Sequence, residues 1–143
     1  MTHATVRDLL RTEVVTASPT ESIATAAQRM RTECVETVVV ATDDDRPVGV
    51  LTDHDLAVGS LADGWEPDDH AVIDVVTTTP TVDADAGVDE LRASLERAGV
   101  RRLPVVDDDE RVVGVVGLDA LTLLLARRHE TLAAAVERTD ARW

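Results

Sequence analysis

The chain has 143 residues, a length that suits one domain or two small fused units. It carries 28 acidic and 14 basic residues, all of the latter Arg, and the formal net charge of −14 disfavours binding to the phosphate backbone of nucleic acid. The hydrophobic fraction of 44% predicts a packed core. No apolar run is long enough to predict a membrane span, and no basic-then-apolar leader opens the chain. We therefore expect a soluble, cytoplasmic protein.

The first half begins with a short segment, TVRDLLRTEVVTASP, and then shows helical periodicity. Ile23, Ala27 and Met30 recur at the spacing of one helix face and predict a helix over 21–30. Two β-branched runs joined by an acidic turn, TDDDRP, predict a pair of strands, and a second helix is expected directly after them. The predicted strands span 36–41 and 48–52, and the second helix spans about 53–62.

The second half repeats this order after a linker rich in turn formers, DGWEPDDHA. Val88, Leu91 and Leu95 predict a helix over 86–99. The predicted strands span 101–107 and 112–117, and a closing helix spans about 118–138 with an apolar stripe at Leu121, Leu124, Leu125, Leu132 and Val136. The expected organisation is a first repeat over 1–62, a linker over 63–71, a second repeat over 72–125 and a C-terminal helical extension over 126–143.

Each half has the predicted order β-α-β-β-α, which belongs to the α/β (α+β) class. Units of about 60 residues bury too little surface to be stable alone. We therefore expect the two repeats to pack sheet to sheet with pseudo-twofold symmetry.

With these segments the chain resembles a tandem pair of CBS domains, known as a Bateman module, from about residue 5 to about residue 125. The stretches VRDLL, TVVVATDDDRPVGVLTDHDL and GVRRLPVVDDDERVVGVV carry the resemblance. It implies a regulatory or sensor module that forms a homodimer and acts on another protein, which the sequence does not identify. No motif of a known enzyme class is present, so an enzyme is not expected.

The motif GVLTDHD is the candidate ligand site. A strand is predicted to end near Thr52 and a helix to begin near Asp53, so Thr52 and Asp55 can both face one cleft. Free backbone N–H groups at the start of that helix would suit a phosphate, and a carboxylate suits the vicinal hydroxyls of ribose. The resemblance implies that Gly49, Thr52 and Asp55 form the family's ribose-binding motif. The alternative is that Thr52 and Asp55 only cap the helix.

The resemblance also implies that the partner repeat completes this cleft. Adenine would lie between Val50 and Val100, and Arg102 would reach the phosphate. The expected nucleotide-binding residues are Val50, Thr52, Asp53, His54, Asp55, Thr78, Thr79, Pro80, Val100, Arg102 and Pro104. AMP, ADP, ATP, S-adenosylmethionine and NAD all carry adenosine, and a single Arg favours the short phosphate of AMP. The alternative function is a ligand-independent dimerisation or protein-docking module.

The second copy of the motif, GVVGLDA, lacks the polar side chains of the first. Gly117 and Ala120 stand where the first copy has Thr52 and Asp55, and Asp119 is one position early, about 100° away around a helix. Glu36 would repel a phosphate in this cleft, whereas Arg101 leaves weak anion binding open. The expected degenerate cleft comprises Cys34, Glu36, Arg101, Gly117 and Ala120.

The remaining polar and aromatic residues point to no further site. Cys34 is expected to be a buried structural thiol, and one cysteine allows no intrachain disulfide. The DDD runs at 43–45 and 107–109 are expected to be solvated turns, and His3, His70 and His129 are too scattered to predict a metal site.

The acidity and the two tryptophans bear on environment and partners. High Asp with no Lys, Phe or Tyr resembles a protein of a salt-loving archaeon, and the alternative is an acidic partner-binding face. Trp65 and Trp143 are the candidate anchors for a dimer or a partner.

Overall fold

A computed structural model describes residues 4–127 and 136–138 of the chain. The helices are α1 (Val6–Leu9), α2 (Ile23–Glu33), α3 (Asp53–Leu56), α4 (Val88–Ala98) and α5 (Leu118–Ala126). The strands are β1 (Thr16–Ala17), β2 (Thr37–Ala41), β3 (Pro47–Thr52), β4 (Thr77–Thr78), β5 (Val82–Asp83), β6 (Arg102–Val106) and β7 (Val112–Gly117). Within the described ranges, no helix is both long and apolar enough to cross a membrane.

The mixed α/β fold with two repeats is confirmed. The elements α2, β2, β3 and α3 recur 65 residues later as α4, β6, β7 and α5. Local signals set the helix ends, since the Ser22 hydroxyl accepts the N–H of Thr25 at 3.1 Å and caps α2. Cys34 and Gly99 then end α2 and α4 in the left-handed region, with φ of 56° and 64°.

The two sheets exchange strands between the halves of the chain. One sheet has the order β1-β2-β3-β4 and the other the order β5-β6-β7. Strand β4, in the opening segment of the second repeat, pairs antiparallel with β3 of the first repeat. In return Arg11, from the opening segment of the first repeat, bridges to Val115 on β7. Each opening segment therefore completes the sheet of the other repeat.

The hydrophobic cores follow the same exchange. Val6 of α1 lies in the core of the second repeat with Leu91, Leu103 and Val116. Val72, in a 3₁₀ turn before β4, lies in the core of the first repeat. All of these side chains are almost fully excluded from solvent. Because each core needs a residue from the other opening segment, neither repeat has a complete core of its own.

The two sheets also contact each other through the faces turned away from these cores. Side chains alternate along a strand, so Val38 and Val40 point into the first core and Val39 points to the opposite face. Val39 pairs with Val50 of β3, and both are buried. Residues of β3 contact residues of β6, which places Val50 at the junction of the repeats.

The helix predicted over 53–62 is divided. The α-helical part, α3, ends at Leu56, and a π-helical turn, Ala57–Leu61, follows it directly. The Ser60 hydroxyl donates to the carbonyl of Leu56, four residues earlier, and such a bond competes with the regular backbone pattern. Hydrophobic periodicity does not register this competition.

Of the closing helix predicted over 118–138, the structure describes residues 118–127 and 136–138. Helix α5 ends at Ala126, with Leu121 buried and Leu125 45% exposed. Residues 136–138 are again helical. The predictions for His3, His129, Leu132, Trp143 and most of the 126–143 extension lie outside the described residues.

Cys34 is exposed, and the expectation of a buried thiol is wrong. The residue ends α2 with a positive φ, so its side chain lies at the surface end of the helix instead of in the core. Its Sγ contacts the carbonyl of Arg31 at 3.7 Å, a weak interaction.

Candidate functional site

The Asp55 carboxylate lies at the end of β3, where the chain turns into α3. Its Oδ2 accepts the backbone N–H of Thr52 at 2.9 Å, and the Thr52 hydroxyl accepts the N–H of Asp55 at 3.1 Å. These reciprocal bonds form a capping box. The structural role that the sequence left open for Thr52 and Asp55 is therefore present, and it holds the carboxylate in one orientation.

The other repeat contributes Thr77 to the same carboxylate. The Thr77 hydroxyl donates to Asp55 Oδ1 at 3.2 Å, across the β3–β4 pair. This approach depends on Gly49, because a Cβ there would lie 2.9 Å from the Thr77 carbonyl carbon and closer still to its oxygen. The sequence prediction named Thr78 to Pro80 and missed Thr77. Gly49 is the sequence signal for this contact, because a glycine within a strand marks a place where another backbone segment comes close.

Thr79 places a buried hydroxyl two residues beyond Thr77. Its Oγ1 is almost inaccessible to solvent and has no hydrogen-bond partner among the described residues. Thr78 and Pro80 are exposed. An unpaired buried hydroxyl is costly, and a polar atom that reached Thr79 on opening of this segment would be stabilised by it. We call the region formed by Thr52, Asp55, Thr77 and Thr79 the Asp55 cleft.

The backbone donors at the start of α3 are already satisfied within the protein. The N–H of Asp53 donates to the Glu36 carbonyl at 3.0 Å, and that of His54 donates to the Asp53 carboxylate at 2.8 Å. The N–H of Asp55 donates to Thr52, as described above. The expectation of free N–H groups for a phosphate is wrong at these three positions, because two donate to local side chains and the third donates to a carbonyl beside β2.

Arg102 is bound to carboxylates of both repeats. Its Nη2 lies 3.0 Å from Glu36 Oε1 and 4.0 Å from Asp119 Oδ2, and its Nη1 donates to the Thr37 hydroxyl at 3.4 Å. The sequence assigned Arg102 and Glu36 to different clefts. The structure joins them beside Asp53, whose N–H the Glu36 carbonyl accepts.

The other predicted binding residues lie at different depths. Asp53 and His54 are exposed on the first turn of α3. Val50 and Pro104 are buried, and Val100 packs against the core of the second repeat. His70 is stacked on Trp65 with ring centroids 3.9 Å apart, which gives the linker indole a partner within its own chain.

In the equivalent region of the second repeat, the Gly117 cleft, other groups of the chain occupy the space beside Gly117. A Cβ on Gly117 would lie 3.2 Å from Arg102 Cγ and 3.3 Å from the Arg101 carbonyl, with Asp119 Oδ1 closer still. Asp119 therefore turns back over the position where the first repeat has the Thr52 side chain, and Ala120 supplies no carboxylate. Arg101 is exposed, and its carbonyl accepts the N–H of Leu118 at 2.8 Å.

Two other polar groupings lie outside these clefts. Asp83, Asp85 and Asp108 are exposed and present carboxylate oxygens within 4.8 Å of one another, although Arg7 also pairs with Asp85 at 3.1 Å. Only one residue of the second DDD run takes part. Elsewhere, Arg29 lines a groove of about 450 Å³ beside β1. Its hydrogen bond to Glu21 raises the pKa of the Arg29 guanidinium.

Comparison with known families matches both halves of the chain. The family model described as "CBS domain" matches residues 6–59 and again residues 72–127. The two matches together span most of the chain and coincide with the two structural repeats.

One curated relative and two solved structures show the extent of the similarity. Hypoxic response protein 1 of Mycobacterium tuberculosis is 34% identical over 113 residues, which cover 78% of each chain. A crystal structure of that protein with two coordinated zinc ions matches 82% of this chain and 96% of its own, with a TM-score of 0.74 and 32% identity. The CBS domain pair of protein MJ0100, in complex with 5′-methylthioadenosine and S-adenosyl-L-methionine, has a TM-score of 0.76 and 25% identity and covers 89% and 99%.

Some relatives are longer than the region that matches. An uncharacterised protein of Methanopyrus kandleri is 33% identical over 117 residues, which are 81% of this chain and 60% of that protein. A homoserine O-acetyltransferase of Methanosphaerula palustris is 31% identical, and the match spans only 25% of its length. The similarity to that enzyme therefore concerns a quarter of it.

Proposed function

The chain belongs to the CBS domain family, and on that premise we propose that it is a regulatory module that binds an adenosine-containing ligand in the Asp55 cleft. One observation carries the proposal: Asp55 is fixed by Thr52 of its own repeat and by Thr77 of the other, and the segment that supplies Thr77 also carries the unpaired hydroxyl of Thr79. A carboxylate offers about four acceptor positions, so two remain for the vicinal hydroxyls of ribose.

The cleft would couple ligand binding to the packing of the repeats. Asp55 belongs to the first repeat, whereas Thr77 and Thr79 come from the segment that opens the second. A ligand that contacts both sides favours the arrangement in which they are close, and it regulates a partner only if it binds two arrangements with different affinity. In this proposal the repeats at 1–62 and 72–125 are the moving units, and the Gly117 cleft does not bind the ligand.

The relatives support an adenosine-containing ligand but do not identify which one. The MJ0100 pair carries 5′-methylthioadenosine and S-adenosyl-L-methionine, and it resembles this chain over nearly its whole length. AMP, which the sequence favours, depends on Arg102 being available to a phosphate. Zinc is not proposed, since the three-carboxylate group found among the described residues lacks the Cys and His ligands that zinc prefers.

A homodimer that docks on another protein without a ligand is the second candidate. Equivalent helical segments of the two repeats expose Val58, Leu61, Leu118 and Leu125, with Leu61 74% exposed. Apolar side chains in such number on a small protein favour burial against a second copy or a partner. In this candidate the Thr52–Asp55 capping box is only structural.

Calorimetric titration with 5′-methylthioadenosine, S-adenosylmethionine, AMP, ATP and NAD tests the proposal. We expect one site per chain and at least a tenfold loss of affinity, roughly the value of a hydrogen bond to a charged group, in Asp55→Asn. Asp89→Asn is the matched control, because Asp89 is an exposed first-turn residue of α4. Two sites per chain would show that the Gly117 cleft also binds the ligand. A folded dimer that binds none of these compounds would favour the docking module.

A further inference from the structure

We infer that Glu36 determines the charge of the ligand, so that the Asp55 cleft prefers an adenosine-containing ligand without a phosphate over AMP. This inference rests on the proposed function and concerns the same site. It names a specificity-determining residue, Glu36, that the sequence assigned to the other cleft.

The cation expected to hold a phosphate, Arg102, is already paired with carboxylates. Arg102 makes its shortest contact, 3.0 Å, from Nη2 to Glu36, and the same nitrogen lies 4.0 Å from Asp119. The Arg102 side chain is 28% exposed, which leaves little room for a third anion to approach. A phosphate would have to displace Glu36, and it would leave that carboxylate without its partner.

The backbone at the start of α3 offers no free donors in place of Arg102. The N–H groups of Asp53, His54 and Asp55 donate to oxygens of the chain itself. A phosphate bound there would have to break these bonds as well. The donors that make helix starts favourable for anions in other proteins are occupied here.

The charged side chains around the end of β3 are mostly negative. The carboxylates of Glu36, Asp53 and Asp55 lie around the junction of β2, β3 and α3. Arg102 is paired with Glu36, and a second guanidinium, that of Arg11, is paired with Asp119 at 3.8 Å. A 5′-phosphate adds nearly two negative charges at neutral pH and is repelled. The thioether of 5′-methylthioadenosine adds no charge, and the sulfonium of S-adenosylmethionine adds a positive one, which this region attracts.

The test compares four ligands on the wild type and on Glu36→Gln: 5′-methylthioadenosine, S-adenosylmethionine, AMP and ATP. We expect the wild type to bind 5′-methylthioadenosine at least tenfold more tightly than AMP, the scale of one charge-assisted contact. Glu36→Gln keeps the shape of the side chain and frees Arg102. It should tighten AMP about tenfold and change 5′-methylthioadenosine by less than about threefold.

Two further variants separate this effect from a general change of charge. Glu110→Gln is the matched control, because Glu110 also pairs with an arginine of the other repeat, Arg46 at 3.5 Å, at the opposite end of β3. It should leave the ratio of the two affinities unchanged. Adding Arg102→Gln to Glu36→Gln should abolish the gain for AMP.

The outcomes distinguish this inference from the proposed function. Tight binding of AMP by the wild type, with no response to Glu36→Gln, would overturn the inference and leave the adenosine site in place. The same gain for AMP in Glu110→Gln would also overturn it, because any lost carboxylate would then suffice. If no adenosine compound binds the wild type at all, the proposed function fails and the inference fails with it.

Discussion

Replacing Gly49 by Ala should destabilise the fold and remove the ligand site together. The new Cβ would lie 2.9 Å from the Thr77 carbonyl carbon and 3.0 Å from Thr78 Cα, so the backbone of β4 has to move away from β3. Overpacking of this kind costs about 1–3 kcal/mol. The two residue pairs that join β4 to β3 weaken as well, at about 1 kcal/mol for each hydrogen bond lost. We therefore expect a loss of roughly 2–4 kcal/mol in the free energy of unfolding.

Two other glycines provide matched comparisons for this variant. A Cβ on Gly59 would meet only Val75 side-chain atoms, the nearest at 3.7 Å, so Gly59→Ala should be neutral or stabilising by up to about 1 kcal/mol. A Cβ on Gly114, the counterpart of Gly49 in the second repeat, would lie 2.7 Å from the Arg11 carbonyl oxygen. Gly114→Ala should therefore lower the free energy of unfolding as Gly49→Ala does, but it should leave the geometry of the Asp55 cleft unchanged.

Urea denaturation and ligand titration on the three variants complete the experiment. Displacement of β4 carries Thr77 away from Asp55, so Gly49→Ala should lose binding by more than tenfold even where it is fully folded. Gly114→Ala should bind normally under the same conditions. Equal stability of Gly49→Ala and Gly59→Ala would refute the reasoning from close approach, and unchanged binding by a destabilised Gly49→Ala would refute the role of Thr77.

Two further predictions concern charge. Glu21→Gln should lower the free energy of unfolding by about 1 kcal/mol, because Arg29 then loses the partly buried pair that ties α2 to the segment before it. The folded-state pKa of Arg29 is raised, so its contribution is complete at neutral pH and is lost only in strong alkali; a Glu21→Gln effect that vanished between neutral and mildly alkaline pH would contradict this. With a formal net charge of −14, the melting temperature should rise by several degrees between about 0.1 M and 1 M KCl, as the Debye length falls from about 10 Å to 3 Å. A neutral osmolyte at equal osmolarity controls for exclusion from the surface, and a melting temperature that stayed constant in KCl would show that self-repulsion is unimportant.

The regular elements were predictable because their signals lie within the elements themselves. The β-branched runs of β2 and β3, and the apolar spacing of α2 and α4, persist over enough residues to indicate one structure. The two-residue strands β1, β4 and β5 have no such run. They form because they pair with the edge of a neighbouring strand, and which strand lies beside them is decided by the tertiary fold.

The candidate site divides in the same way. Thr52 and Asp55 were found because their spacing is local and repeats a recognisable motif. The partner of Arg102 is Glu36, which lies 66 residues away in sequence. No local rule connects two such positions, and a motif copied residue by residue from a family omits the contacts that this chain makes for itself. Thr77 was missed for a related reason, since its role depends on which edge of β3 the segment joins.

The exchange of opening segments also orders events during synthesis. Arg11 pairs with Val115, so the chain must grow by a further 104 residues before this early segment meets its strand. A ribosome that adds about 5–20 residues each second needs about 5–20 s for that length. Over this interval Val6 has no core to enter, since its neighbours Leu91, Leu103 and Val116 have yet to be made. Val6 is therefore among the first core residues to be translated and among the last to be buried, and its side chain stays accessible to folding factors until the second repeat emerges.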